Sequence, residues 1–248
     1  MSTPLVTVFT SCHNQGGYLK EAIESVIWQT YPNFEYLLYD DGSSDDTLDI
    51  MRYYSKLDDR IKVKSLPKQK NVGVVINQSF RDANGKYWVW CPSDDVLVDT
   101  LLEMKVKVAA SYPDAVLYNN WIVMDEHGKL IHPVEVPLMT PDKFAEEVWR
   151  SSPIGFTGIW IPLHIVRNLD LEFPEHLHFS EDFYWMIKAT IHGVEFVGVN
   201  HKLHYKRKHL TATTARNIDA ILDQIPRIRA ELREYKDWLT RSKSNVDT

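Results

Sequence analysis

Two short acidic pairs hold most of the chemistry this chain could do. Asp40-Asp41 follows the apolar run Phe34 to Tyr39 and precedes Gly42-Ser43-Ser44-Asp45-Asp46. Asp94-Asp95 follows a second apolar run, Tyr87 to Cys91, through Pro92-Ser93. In an open α/β sheet, ligands bind at the carboxyl ends of the strands, where both pairs fall. A carboxylate there can accept a hydrogen bond from a ring N–H or a ribose hydroxyl. An acidic turn, with Asp45 or Asp46 capping the next helix, accounts equally well for the first pair. The second pair suits Mg2+ or Mn2+, which bridge one or two protein carboxylates to substrate phosphates. It could instead start the helix from Thr100, as Asp99 could. A third pair, Glu181-Asp182, opens the aromatic segment Phe183-Tyr184-Trp185. It could take a proton from an attacking hydroxyl or simply complement a helix dipole. The basic run Tyr205-Lys206-Arg207-Lys208-His209 offers cations for a diphosphate and an imidazole for a metal shell, or is solvated surface.

The elements that must position these residues alternate through the first half. Val6 to Thr10 predicts a buried strand, and Leu19, Ala22, Ile23, Val26 and Ile27 follow at helical spacing. Tyr31-Pro32-Asn33 breaks that helix. A strand to Tyr39, a helix from Thr47, a strand over 61–66, a helix over 72–83 and a strand over 87–91 complete the pattern. Such alternation implies right-handed crossovers and a mainly parallel sheet. The second half predicts strands at 115–119, 121–124, 158–162 and 194–199, with a helix over 181–192. The tail repeats apolar residues at helical spacing from Ile218 to Leu239, and Pro226 predicts two helices or a kink there. No Gly-x-Gly-x-x-Gly or Gly-Lys-Ser/Thr loop is present, which removes the main support for a dinucleotide or P-loop site.

Composition sets the outer bounds. The 248 residues are 44% hydrophobic, enough for a substantial core. Eight Trp and twelve Tyr suit sugar-handling surfaces as well as core filling. The net charge of −6 is uneven, since residues 201–248 hold eleven Lys and Arg against six Asp and Glu. That basic tail suits an anionic acceptor, peripheral membrane contact or a solvated helix face. Two cysteines, Cys12 and Cys91, form no disulfide framework and no zinc spacing. No leader segment and no membrane-length apolar run is read, so a cytoplasmic, possibly membrane-peripheral protein is expected.

Taken together and in order, these segments resemble the family 2 glycosyltransferases. The resemblance rests on Val6 to Asn14, Ser25 to Glu35, Asp40-Asp41-Gly42-Ser43-Ser44-Asp45, Asn71-Val72-Gly73, Asn77, Gly85-Lys86-Tyr87, Ser93-Asp94-Asp95 and Glu181-Asp182. It implies a GT-A fold: α/β, Rossmann-like, with a mainly parallel central sheet flanked by helices. The expected organisation is a GT-A domain over 1–210, with a nucleotide-binding half (1–98) and an acceptor-binding half (99–210), then a C-terminal helical extension over 211–248.

The resemblance also implies roles. The donor is a nucleotide sugar, a UDP-sugar by default. The cofactor is a divalent metal, Mg2+ or Mn2+, and transfer proceeds with inversion. Ser11, His13, Asp40, Asp41, Asn71 and Asp94 are expected on the nucleotide sugar, with His13 standing where Tyr is common. Asp94, Asp95 and His209 are expected at the metal, and Asp182 is the expected catalytic base. Phe156, Thr157, Gly158, Glu181 and Trp185 are expected to wall the acceptor, whether saccharide, lipid-linked glycan or protein. Two departures stand out: Pro92 replaces the first Asp of the usual Asp-x-Asp-Asp, and Ile76 replaces a frequent Arg. The first leaves open a degenerate GT-A protein that binds or scaffolds without transfer. A nucleotidyltransferase also uses a metal on an α/β sheet but lacks its glycine-rich loop here.

Overall fold

The protein is described from a computed structural model covering residues 3–210, 212 and 216–244. Residues 211, 213–215 and 245–248 of the expected extension lie outside the described residues.

Among these residues a nine-stranded sheet runs β3-β2-β1-β4-β8-β6-β9-β5, with β7 paired to β6. Strands β1 (Val6–Cys12), β2 (Phe34–Asp41), β3 (Ile61–Leu66) and β4 (Tyr87–Trp90) are parallel to one another. Helices α1 (Gly16–Ile27), α2 (Thr47–Ser55) and α3 (Val72–Asp82) connect them. Strand β2 is buried along its whole length, as expected of a parallel strand covered on both faces. On α1, Leu19, Ala22, Ile23 and Val26 form the buried stripe that the spacing predicted.

The second half reverses direction. Strand β5 (Val96–Leu97) and helix α4 (Leu101–Ala109) lead to β6 (Val116–Met124) and β7 (Leu130–Val134). Helix α5 (Pro141–Glu147), β8 (Trp160–Pro162), α6 (Leu163–Leu169), α7 (Glu181–Ile191) and β9 (Phe196–Arg207) follow. Strand β8 joins β4 antiparallel, and β6 runs parallel to β9. Lys105 on α4 is fully buried and donates to the Leu117 and Gly158 carbonyls, pinning α4 beneath β6 and β8.

Three expectations change. The break predicted at Asn120 is instead a register shift within one strand. It survives burial because the Asn119 amide faces His204 Nδ1 at 3.0 Å, while the Asn120 amide bonds to Asn200 and to the Val136 N–H. Strand β9 continues eight residues past Val199, to Arg207, because β6 and β5 pair with its second half. The tail forms a single helix, α8 (Ile218–Ser244), through Pro226. The carbonyl that Pro226 leaves without its helical partner belongs to Leu222, which is exposed, so water can satisfy it. Ile228 and Leu232 of α8 are fully buried in the same core as Trp185 and Phe196.

Candidate active site

A cleft of about 690 Å3 opens over the carboxyl ends of β1, β2 and β4 and extends to α7 and α8. The parallel register puts Cys12 beside Asp40, so the ends of β1 and β2 meet. Ser11, His13 and Asp41 line the cleft there. His13 Nδ1 lies 2.9 Å from the Asp41 carbonyl oxygen. The Asp41 carboxylate accepts from the Gln69 N–H (2.8 Å) and from Lys68 Nζ (2.5 Å). Gly42 makes this corner possible: its φ is +71°, and a Cβ would fall 2.6 Å from the Lys68 nitrogen.

The β4 end presents Pro92, Ser93 and Asp94 to the cleft. Asp94 Oδ2 lies 3.0 Å from His209 Nε2, bringing together a carboxylate and an imidazole 115 residues apart. Behind them, Arg207 holds the loop in place. Its Nε donates to the Asp94 carbonyl (2.9 Å), its guanidinium pairs with Glu21 (2.7 Å), and its backbone N–H donates to Asp95 (2.8 Å). The Arg207 side chain is 1% exposed.

At the far end, Glu181 and Asp182 on the first turn of α7 both line the cleft. Ser180 starts this helix in a left-handed conformation, φ +63°. Asp182 Oδ1 accepts from the Phe183 N–H at 2.7 Å. Burial raises the Asp182 pKa, and the hydrogen bond and the Lys206 charge only partly offset it. Glu181 is 7% exposed and one of its oxygens has no partner among the described residues. Burial, with the Asp182 charge adding to it, pushes its pKa up to about 7.

Several expected contacts belong to the scaffold instead. Asp40 is 1% exposed, and its oxygens accept from Ser43 N–H and Ser65 hydroxyl. Asn71 caps α3 through the Val74 N–H (3.1 Å), and its amide donates to the Glu175 carbonyl (2.7 Å). Asp95 spends its oxygens on Thr157 Oγ1 (2.6 Å) and Arg207 N–H, which also removes Thr157 from the acceptor wall. Gly158 turns the backbone over Lys105, and Trp185 is fully buried against Phe173. Of the expected acceptor wall, Phe156 and Glu181 line the cleft.

Mg2+ and Mn2+ complete their shells with substrate phosphates and water, so a few protein donors are enough. Asp94 lines the cleft with buried His209 3.0 Å from its carboxylate, and this pair fits such an ion, but Asp95, outside the cleft lining and already bonded, does not. No larger cluster of candidate ligands occurs among the described residues. Lys68 and Gln15 also line the cleft and carried no clear signal in the sequence, and Lys206 joins them from the basic run 205–209. For Lys206 the available signal was alternation: on β9 Arg207 faces inward while Lys206 faces the cleft.

Residues 7–192 match the family described as glycosyl transferase family 2. The chain belongs to that family. A Bacillus subtilis (strain 168) family relative, provisionally named TuaG for teichuronic acid biosynthesis, is 32% identical over 136 residues, 53% of this chain and 54% of its own. The chain thus spans about half the length of that relative. Staphylococcus aureus TarS 1–349 in complex with UDP superimposes with a TM-score of 0.72 at 20% identity, covering 91% of this chain and 64% of that 1–349 chain. The mannosyltransferase PcManGT of Pyrobaculum calidifontis, in complex with GDP-Man and Mn2+, gives 0.70 at 16% identity, covering 90% and 63%. At such identities the solved structures speak to the fold, and that fold is GT-A.

Proposed function

We propose that this family member moves a sugar from a nucleotide-diphosphate sugar to an acceptor hydroxyl, with inversion and with Asp182 as the base. The observation that carries the proposal is a single cleft lined by Asp41 at one end, Asp94 between, with His209 3.0 Å from its carboxylate, and Asp182 at the other. The 1–98 half takes the nucleotide and the 99–210 half takes the acceptor. Asp41 accepts the base N–H in exchange for Lys68, and His13 and Ser11 flank the nucleoside. A UDP-sugar is the default donor, by analogy with UDP bound to TarS. Asp94 and His209 would hold a divalent metal, which would supply charge neutralisation at the leaving diphosphate. Lys206 adds a second positive charge from the cleft wall. As the acceptor oxygen bonds to the anomeric carbon, the bond to the diphosphate breaks and its electron pair leaves with the phosphate oxygen. Asp182 takes the hydroxyl proton. Desolvation makes it a better base than an exposed carboxylate.

Asp182→Asn tests this reading. Transfer should fall by about 10²–10⁴-fold while nucleoside diphosphate binding, read by calorimetry, stays within about twofold. Near-normal turnover would refute the base assignment. The second reading, a binding protein without transfer, is favoured by Pro92 and by the loss of Asp95 from the cleft. It requires that no nucleotide sugar is transferred or hydrolysed.

A further inference from the structure

Helix α1 faces both of the segments that meet at Asp94 and His209. Gln15, which starts the helix, accepts a hydrogen bond from Ser93 Oγ at 3.2 Å. Tyr18 packs its ring against His209, with centroids 4.9 Å apart, and the Arg207 guanidinium lies over the same Tyr18 ring at 4.8 Å. Glu21 then pairs with Arg207. Positions 15, 18 and 21 follow the i, i+3 spacing that sets side chains beside one another on a helix. One stripe of α1 thus braces the loop that carries Asp94 and the chain that carries His209.

Core packing does not account for Tyr18. It is half-buried, lies off the stripe of Leu19, Ala22, Ile23 and Val26, and belongs to neither apolar core. It does not line the cleft either. The contacts its ring makes are with Arg207 and His209. His209 needs such a neighbour. Strand β9 ends at Arg207, and the Lys208 N–H still bonds to the Met124 carbonyl at 2.9 Å. One residue later the sheet register no longer sets where a side chain points. The His209 side chain is 1% exposed and reaches Asp94 from behind the cleft wall. A modest turn of the ring would take Nε2 out of hydrogen-bond range of that carboxylate.

We infer that Tyr18 is a positioning residue for the Asp94–His209 pair. Its ring, held by Arg207 through a cation–π contact, fixes the direction of the imidazole through an aromatic contact. Partners that orient a metal ligand matter nearly as much as the ligand itself. The inference rests on the transferase reading and its metal site, and adds to them a residue outside the cleft.

Calorimetry of UDP and GDP on the full chain, in Mn2+ and in chelator, tests it. Tyr18→Leu removes the ring and keeps a good helix former. Nucleotide affinity in Mn2+ should fall by about tenfold in that variant, while affinity in chelator stays within about twofold. Tyr18→Phe should match the unaltered chain, because the ring makes the contacts. Tyr18→Gln, which also lacks the ring, replaces Tyr18→Leu if that variant does not fold. A ligand-free crystal structure of the ringless variant should show His209 Nε2 beyond hydrogen-bond reach of Asp94. Equal losses in Mn2+ and in chelator overturn the inference, as do an unchanged affinity in Mn2+, a Phe variant as weak as the Leu variant, or a retained His209–Asp94 contact. An unaltered chain that binds neither nucleotide under any condition would instead sink the transferase reading, and the ligand-free structure would still decide the role of Tyr18.

Discussion

Adjacent carboxylates on one helical turn have different work to do. If Asp182 is the base proposed above, it must be ionised to accept a proton, and its raised pKa moves the acid limb of the rate profile upward. Activity should fall as pH drops through that value. Glu181, with a pKa near 7, holds its proton in the folded state at pH values where an unfolded Glu has lost it. Its folded pKa is raised, so stability is greatest below the unfolded value of 4.5 and declines as pH rises toward 7. Glu181→Gln should therefore stabilise the protein at pH 8 by on the order of 2 kcal/mol, and the gain should vanish below about pH 4. Urea titrations at the two pH values check it; equal gains at both would show that the buried charge is not the cause. At the proposed metal site, His209→Ala or Asp94→Ala should abolish any Mn2+ dependence of nucleoside diphosphate binding, whereas Asp95→Asn should act first on stability. A chelator with no effect on binding by the unaltered chain would remove the metal from the site.

Single side chains also fasten whole elements. Glu35 on β2 accepts from Thr7 (2.7 Å), Lys62 (2.6 Å) and the Asn84 N–H (2.6 Å), joining β1, β3 and the turn into β4. Burial raises its pKa, but these hydrogen bonds prevail and lower it to about 2. Its stabilisation is present above the unfolded pKa of 4.5 and is lost as pH falls toward 2. Glu35→Gln should cost on the order of 2 kcal/mol at pH 7, discounted for solvent screening, and little near pH 2. Thermal melts across that window read the difference. Asn71→Ala should remove the cap of α3 and destabilise by about 1 kcal/mol, leaving nucleotide affinity largely intact. A selective loss of nucleotide affinity would return Asn71 to the binding site.

At the scale of the whole molecule, α8 both completes the core and closes the cleft. Removing residues from 218 onward would expose the surface against which Ile228 and Leu232 pack. The truncated chain should lose several kcal/mol and a wall of its cleft together. Chemical denaturation measures the loss. No helix among the described residues is long and apolar enough to cross a membrane.

Alternating strands and helices, buried stripes and the carboxylates at strand ends were legible because each depends on neighbours within a few residues. So were Asp41, Asp94 and Asp182, whose motifs are local and ordered. That Asp40 and Asp95 would be spent inside the fold was not legible. Asp40 and Asp95 turn inward because Ser65, Thr157 and Arg207, 25 to 112 residues away, supply their hydrogen bonds. The same holds for Arg207, which is buried only because β9 pairs with β6 and β5, and for Lys105, held by two distant carbonyls. Pro226 shows the limit from the other side: local propensity predicted a break, but tertiary burial of Ile228 and Leu232 keeps the helix continuous. The sequence by itself determined the family, the strand ends and the kinds of group at the site. Only the tertiary structure decided which of those groups are spent on the scaffold and which remain free for a ligand, because a buried polar atom must take whatever partner the fold brings to it.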